Sequence, residues 1–237
     1  IDFDSMLADS ISCLGRTRSF RYRYVFVDEF QDTSRSRLTL ARSLRDAVDG
    51  ARLFLVGDDW QSINRFAGSD VGIFVDAEQH VGVTARVDLD VTFRLPEDVL
   101  RISSTFITRN PRQLTKTLSP FRDATSTRNL RLVPFPTNKF QESLEAVLRR
   151  IADDDANGRR VLLLARYNRE LDQPAVRRII ARYAKTGLAM DVRTIHRAKG
   201  LEADHVIVIG LSSVAPGFPS MVLDDPVLQL VSSAPED

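Results

Sequence analysis

The sequence predicts an α/β fold built from two parallel-sheet domains. Short β-rich runs without polar alternation, Tyr24–Val27, Leu53–Val56 and Val161–Leu164, suit strands covered on both faces, as in a parallel sheet. Helical apolar spacing fills the chain between such runs, which is the pattern of βαβ units. With 237 residues and 43% hydrophobic content, the chain has room for one large or two small domains and enough apolar material for a core.

The first run ends in Asp28-Glu29 and the second in Gly57-Asp58-Asp59. Between them Leu38, Ala41, Leu44 and Val48 recur at helical spacing, and Gly50 is a stop signal. Strand, helix and strand deliver both acidic ends to one edge of the sheet, where open α/β folds bind ligands. This pattern stops between Val83 and Phe93, so the expected domains are 1–88 and 89–237. The second reads as a strand at Leu130–Phe135, a helix at Phe140–Ile151, a buried strand at Val161–Leu164 and a helix at Pro174–Lys185. Strands at Val192–Ile195 and Val206–Leu211 follow, and the Pro- and Asp-rich stretch after Gly217 is expected to be loop.

Composition excludes a disordered chain, a collagen-like repeat and a disulfide scaffold. The lone Cys13 fits a reducing compartment, so a cytoplasmic location is expected, and no apolar run is long enough to span a membrane. Against 33 Lys and Arg stand 32 Asp and Glu, so a nucleic-acid site must be a local patch. From Arg101 to Arg131 there are seven basic residues and one acid, Asp123. Such a stretch can meet phosphates, and it can equally be a solvated basic surface.

A hydrophobic strand followed by Asp28-Glu29 has the layout of a Walker B site. There a rigid strand aims one carboxylate at Mg²⁺ and its neighbour at an attacking water. Strands also end in solvated acids for no chemical reason. Gln61, just past the adjacent strand end, adds an amide that can hydrogen-bond a terminal phosphate or a water without adding charge.

VFVDEFQDTS, VGDDWQSINRFAGSD, DVTFRLP and VRTIHRAKGLEADHVIVIGL occur in that order. Each resembles a motif of the superfamily 1 helicases of the UvrD/Rep type, and GDDWQSI with RFAGSD looks most like the helicase IV (HelD) branch. The resemblance implies two RecA-like (P-loop NTPase) domains that bind ATP and Mg²⁺ and move along single-stranded or partly duplex DNA in the 3′ to 5′ direction. It implies Asp28 as the Mg²⁺ ligand, Glu29 as activator of the hydrolytic water and Gln61 as a γ-phosphate sensor. Arg94 would reach the γ-phosphate, and Glu202 would contact the ribose side of the nucleotide. Asn64, Phe66, Thr194 and His196 fall at the DNA-contacting positions, although Asn64 lacks the ring that relatives stack on bases. Thr194 and His196 also read simply as strand-end residues, and Trp60 as a buried anchor. Protein partners are not implied.

Two departures bear on activity. A phosphate-cradling loop needs Gly-Lys-Ser/Thr, and the sequence contains no Gly-Lys dipeptide. The arginine-bearing final motif of the family is missing as well. The 100 positions from Arg94 to Thr194 leave no space for the large inserted domain of UvrD and Rep relatives. Under the resemblance, the expected identity is therefore a core fragment of a helicase whose first RecA-like domain is incomplete. Two other readings remain: a non-catalytic DNA- or partner-binding module, and a metal-dependent nuclease using Asp28, Asp32, Asp58, Asp59 and Asp70. The isolated chain is expected to show negligible DNA-stimulated ATP hydrolysis, measurable as phosphate release; brisk turnover by this polypeptide would contradict the fragment reading.

Overall fold

A computed structural model of the chain describes residues 2–16, 20–121, 130–155 and 158–211. These fall into two compact units, one formed by the described residues up to 121 and the other by those from 130 onward. Among the described residues no helix is long and apolar enough to cross a membrane.

In the first unit α1 (Phe3–Arg16) packs against α2 (Arg35–Asp46), and β1 (Tyr24–Val27) pairs in parallel with β2 (Arg52–Leu55). Ser34 caps α2 by accepting the Arg37 N–H, and Leu38 and Ala41 turn inward from that helix. Two one-turn helices follow, α3 (Val71–Val75) and α4 (Ala77–Val81), with Asp70 capping the first through the Gly72 N–H. Phe30, Leu38 and Ile73 form the small core, joined by Val27, Leu55 and Phe74. After β3 (Val91–Thr92), helix α5 (Glu97–Ile107) leads to β4 (Ser119–Pro120), which pairs in parallel with β3.

The second unit is a three-stranded parallel sheet in the order β6-β5-β7, from β5 (Arg160–Ala165), β6 (Ala189–Thr194) and β7 (His205–Val208). Helix α6 (Phe140–Asp155), the short α7 (Asn168–Leu171) and α8 (Pro174–Ala184) complete it, with Pro174 in the first turn of α8, where its missing N–H is harmless. Leu144 and Leu148 of α6 and Val176, Ile179 and Tyr183 of α8 cover one face of β5 at Val161, Leu163 and Ala165. Leu162 and Leu164 cover the other face with Ala198. From Val161 to Ala165 the central strand is thus apolar, because both its faces are inside.

This α/β architecture with small parallel sheets matches the fold class in its coarse form, and several details differ from the sequence reading. Residues 130–136 contain no strand: Pro134 and Pro136 lack N–H donors and cannot extend a ladder. The β1–β2 pair is not covered on both faces. Tyr24, Phe26 and Phe54 are exposed and contact one another, Phe26 and Phe54 stacking at 5.0 Å between centroids. Helix α5 occupies the start of the basic stretch. In the first unit, residues 113–116 bond to Asp59 and Trp60 beyond β2. The stretch after Gly217 lies outside the described residues.

Leu163 is fully buried in the central strand. Leu163→Ala is expected to lower stability of the second unit by about 2–5 kcal/mol in urea unfolding. Leu132→Ala, at an exposed position, should change it by less than about 0.5 kcal/mol.

Candidate functional site

Parallel pairing of Val27 with Leu55 puts the two strand ends side by side. The ladder continues past them, with Val56 N donating to Val27 O at 2.9 Å and Phe30 N donating to Val56 O at 2.9 Å. Asp28 and Glu29 are exposed at the end of β1. Glu29 has φ 50° and ψ 39°, and it is the one non-glycine residue with positive φ among the described residues. That conformation costs an L-residue with a long side chain about 1–3 kcal/mol and persists only where neighbours enforce it. Here they do: Glu29 N donates to Asp28 Oδ1 at 2.8 Å, and Asp32 N donates to Glu29 O at 2.9 Å.

Gln31 is the centre of the arrangement. It is fully buried, and its amide joins both strand ends. Its Nε2 donates to Glu29 Oε2 at 2.5 Å, and its Oε1 accepts from Asp58 N at 2.9 Å. Gly57 is required beneath it, since a Cβ there would collide with the Gln31 side chain and lie 2.9 Å from a Phe74 ring carbon. Gln61 sits in a single 3₁₀ turn, Asp59–Gln61, capped by Asp58 through the Trp60 N–H. Gln61 Nε2 donates to Asp58 Oδ2 at 2.8 Å. A continuous polar line thus runs Glu29, Gln31, Asp58, Gln61.

Asn64 Nδ2 donates to Asp32 Oδ2 at 2.8 Å, whereas Phe66 is 62% exposed on the next 3₁₀ turn. Arg94 follows β3 in the same compact unit and is exposed. The five aspartates of the nuclease reading are differently engaged. Asp70 caps α3, Asp32 accepts from Asn64, Asp59 is buried, and no group of three His, Cys, Asp or Glu is placed to hold a metal ion among the described residues.

In the second unit Thr194 ends β6 opposite Ala165, and His196 opens the 3₁₀ turn beyond it. Arg166, following β5, approaches His196, with Nη1 at 3.3 Å from Nε2. A guanidinium can only donate, so the contact is a hydrogen bond in the tautomer that carries its proton on Nδ1. Burial lowers the His196 pKa, and the Arg166 charge lowers it further. Arg166 and Arg169 lie over the Tyr167 ring, 5.9 and 4.8 Å from its centroid. Glu202 is exposed and sits with Arg160 and Ala189 near the starts of β5 and β6, at the opposite end of those strands from Thr194.

Gln31, Lys116, Arg166 and Tyr167 were not foreseen as site residues. For Arg166 and Tyr167 the sequence held a signal, since they follow the buried strand as Asp28 follows β1. Gln31 gave none, because its burial depends on Asp58, 27 positions away.

A parallel α/β sheet with a paired carboxylate and an amide at neighbouring strand ends is an arrangement suited to nucleotide hydrolysis. The chain is related to the UvrD/Rep-type DNA helicases: residues 1–82 match the UvrD/REP helicase N-terminal domain. It is 31% identical over 241 residues to DNA helicase IV of Escherichia coli, an alignment covering 100% of this chain and 34% of that protein. It is 28% identical over 206 residues to a probable DNA helicase of Mycoplasma pneumoniae, covering 85% of this chain and 38% of that one. ATP-dependent DNA helicase PcrA of Bacillus subtilis is 27% identical over 124 residues, covering 50% and 16%. The chain thus spans about a third of the length of the helicase IV it matches. The resemblance carried by the motifs, including that to helicase IV, is borne out.

Stability from the His196–Arg166 contact has a definite pH direction. The depressed folded pKa favours the neutral ring, so the contribution is complete above the usual histidine pKa and is lost as pH falls through the folded value. A proton NMR titration is expected to place the His196 midpoint below that of a free histidine, and Arg166→Gln is expected to raise it.

Proposed function

We propose that this chain is a core portion of an ATP-dependent DNA helicase or translocase moving 3′ to 5′ on single-stranded DNA. Residues 1–88 would belong to one RecA-like motor domain and 89–237 to the second. The observation that carries the reading is the hydrogen-bonded line from Glu29 through Gln31 and Asp58 to Gln61, which couples a base at one strand end to a phosphate-sensing amide at the next.

Glu29 would take the proton of the attacking water at its carboxylate, and its fixed backbone narrows the directions in which that carboxylate points. Gln61 keeps one N–H on Asp58 and would present the rest of its amide to the water or the γ-phosphate. Arg94 would stabilise charge building on the phosphoryl oxygens, a task suited to a planar guanidinium. Asp28 is an exposed carboxylate at a strand end, and this fits Mg²⁺, which takes one or two protein carboxylates and fills its shell with water and phosphate oxygens. When held by Asp28, that ion would supply positive charge that offsets charge developing on the phosphates. Glu202 would face the ribose side of the nucleotide.

Phe66 offers an exposed ring for base stacking, which tolerates any sequence and so suits a motor. Asn64, held by Asp32, would contact DNA as a polar group beside it. Thr194 and His196 would meet the strand from the second unit, where Arg166, Tyr167 and Arg169 add positive charge and a ring at the same strand ends. A neutral His196 suits this role as an acceptor or stacking ring rather than a charge. The lone exposed Cys13 supports a cytoplasmic location.

The test uses the longer protein that carries this sequence. Glu29→Gln should lower DNA-stimulated ATP hydrolysis by about 100-fold or more with single-stranded DNA binding retained. Undiminished hydrolysis in that variant would sink the assignment. DNA binding without any hydrolysis in the wild type would favour the non-catalytic module, and Mg²⁺-dependent cleavage without ATP the nuclease.

A further inference from the structure

The basic stretch 101–131 suits either a phosphate surface or a solvated one, yet one of its residues turns inward. Lys116 is only 17% exposed, and its ammonium contacts two neighbouring carboxylates, Asp58 Oδ1 at 2.5 Å and Asp59 Oδ1. It also lies 5.3 Å from the centroid of the Trp60 ring, the only tryptophan in the chain. The segment carrying Lys116 is tied down by bonds independent of its charge. Trp60 Nε1 donates to Leu114 O at 3.0 Å, and Leu114 N donates to Asp59 Oδ2 at 2.8 Å. With its amide nitrogen turned toward Asp59, Gln113 donates there too, at 2.6 Å.

Two consecutive acids are not held at a strand end, one of them fully buried, without a compensating cation. Lys116 is that cation. It leaves Asp58 ionised and, together with the Trp60 N–H at 3.1 Å, pins Oδ1, so that Oδ2 is the oxygen on which Gln61 docks. We propose that Lys116 is a positioning residue that sets the orientation of the Gln61 amide through Asp58, making residues 113–116 a strap that holds the phosphate-sensing turn in its working geometry. This rests on the role assigned to Gln61 above. Burial alone would raise the Asp58 pKa, but the hydrogen bonds from Lys116 and Gln61 outweigh it and leave the carboxyl below its usual range.

The positioning role predicts a response at Gln61 that a purely structural lysine would not give. In Lys116→Met of this chain, the Gln61 side-chain amide resonances should move and Trp60 emission should shift, whereas Lys116→Arg, which keeps the charge, should restore both. Unmoved Gln61 resonances in a folded Lys116→Met would overturn the proposal. If that variant does not fold, the wild type decides. On acidification the Gln61 amide and Trp60 emission should change together in one step below the usual carboxylate range; Gln61 signals that ignore that step would also overturn it. In the longer protein, Lys116→Met should reduce kcat for ATP hydrolysis by up to about 100-fold with KM nearly constant. Shifted Gln61 resonances with unchanged kcat would uphold the strap and remove Gln61 from the chemistry, so the two failures are separable.

Discussion

One buried side-chain amide holds the candidate site together. Gln31 has a donor and an acceptor at fixed separation, and it spends the donor on Glu29 and the acceptor on the Asp58 backbone. An amide buried in this way must satisfy both ends, because an unpaired one costs about 1–3 kcal/mol. The two strand ends are therefore locked to each other in register. Gly57, the left-handed turn at Glu29 and the capping of the Asp59–Gln61 turn all accommodate that one side chain. A leucine at position 31 would match its burial and lose every one of these constraints.

The two units are stabilised by different means. In the second, a six-residue strand with both faces covered anchors an apolar cluster reaching from Leu144 to Ile209. In the first, the apolar core is small and one sheet face carries exposed Tyr24, Phe26 and Phe54. Much of what orders its ligand-facing edge is polar: Gln31, the Lys116 ion pairs and the Trp60 bond to Leu114. Polar ordering fixes directions more sharply than apolar contact does, which suits an edge where atoms must be aimed.

Much of this was legible in the sequence where local pattern decides. The runs at Tyr24–Val27 and Val161–Leu164 announced their strands, and parallel pairing then required Asp28, Glu29 and Gln61 to share an edge. The strand expected at Leu130–Phe135 does not form, because Pro134 lies within it and Pro136 directly after it. Helix α5 was obscured by Ser and Thr residues, which bond back to carbonyls four positions earlier and are tolerated there. Gln31 and Lys116 were beyond reach, since Lys116 meets Asp58 across 58 positions and nothing local marks either residue. Exposure of the Tyr24, Phe26 and Phe54 face was equally invisible, because a strand's composition does not say how many of its faces are covered.

The left-handed backbone at Glu29 carries a consequence for how this sequence can change. A glycine there would relax the torsion and an asparagine would tolerate it, so both substitutions relieve the backbone while discarding the carboxylate. On the proposed role of Glu29 in proton transfer, that role and thermal robustness pull in opposite directions at a single codon. In a homologue without that chemistry, a glycine or asparagine at position 29 would remove the backbone cost with no functional loss.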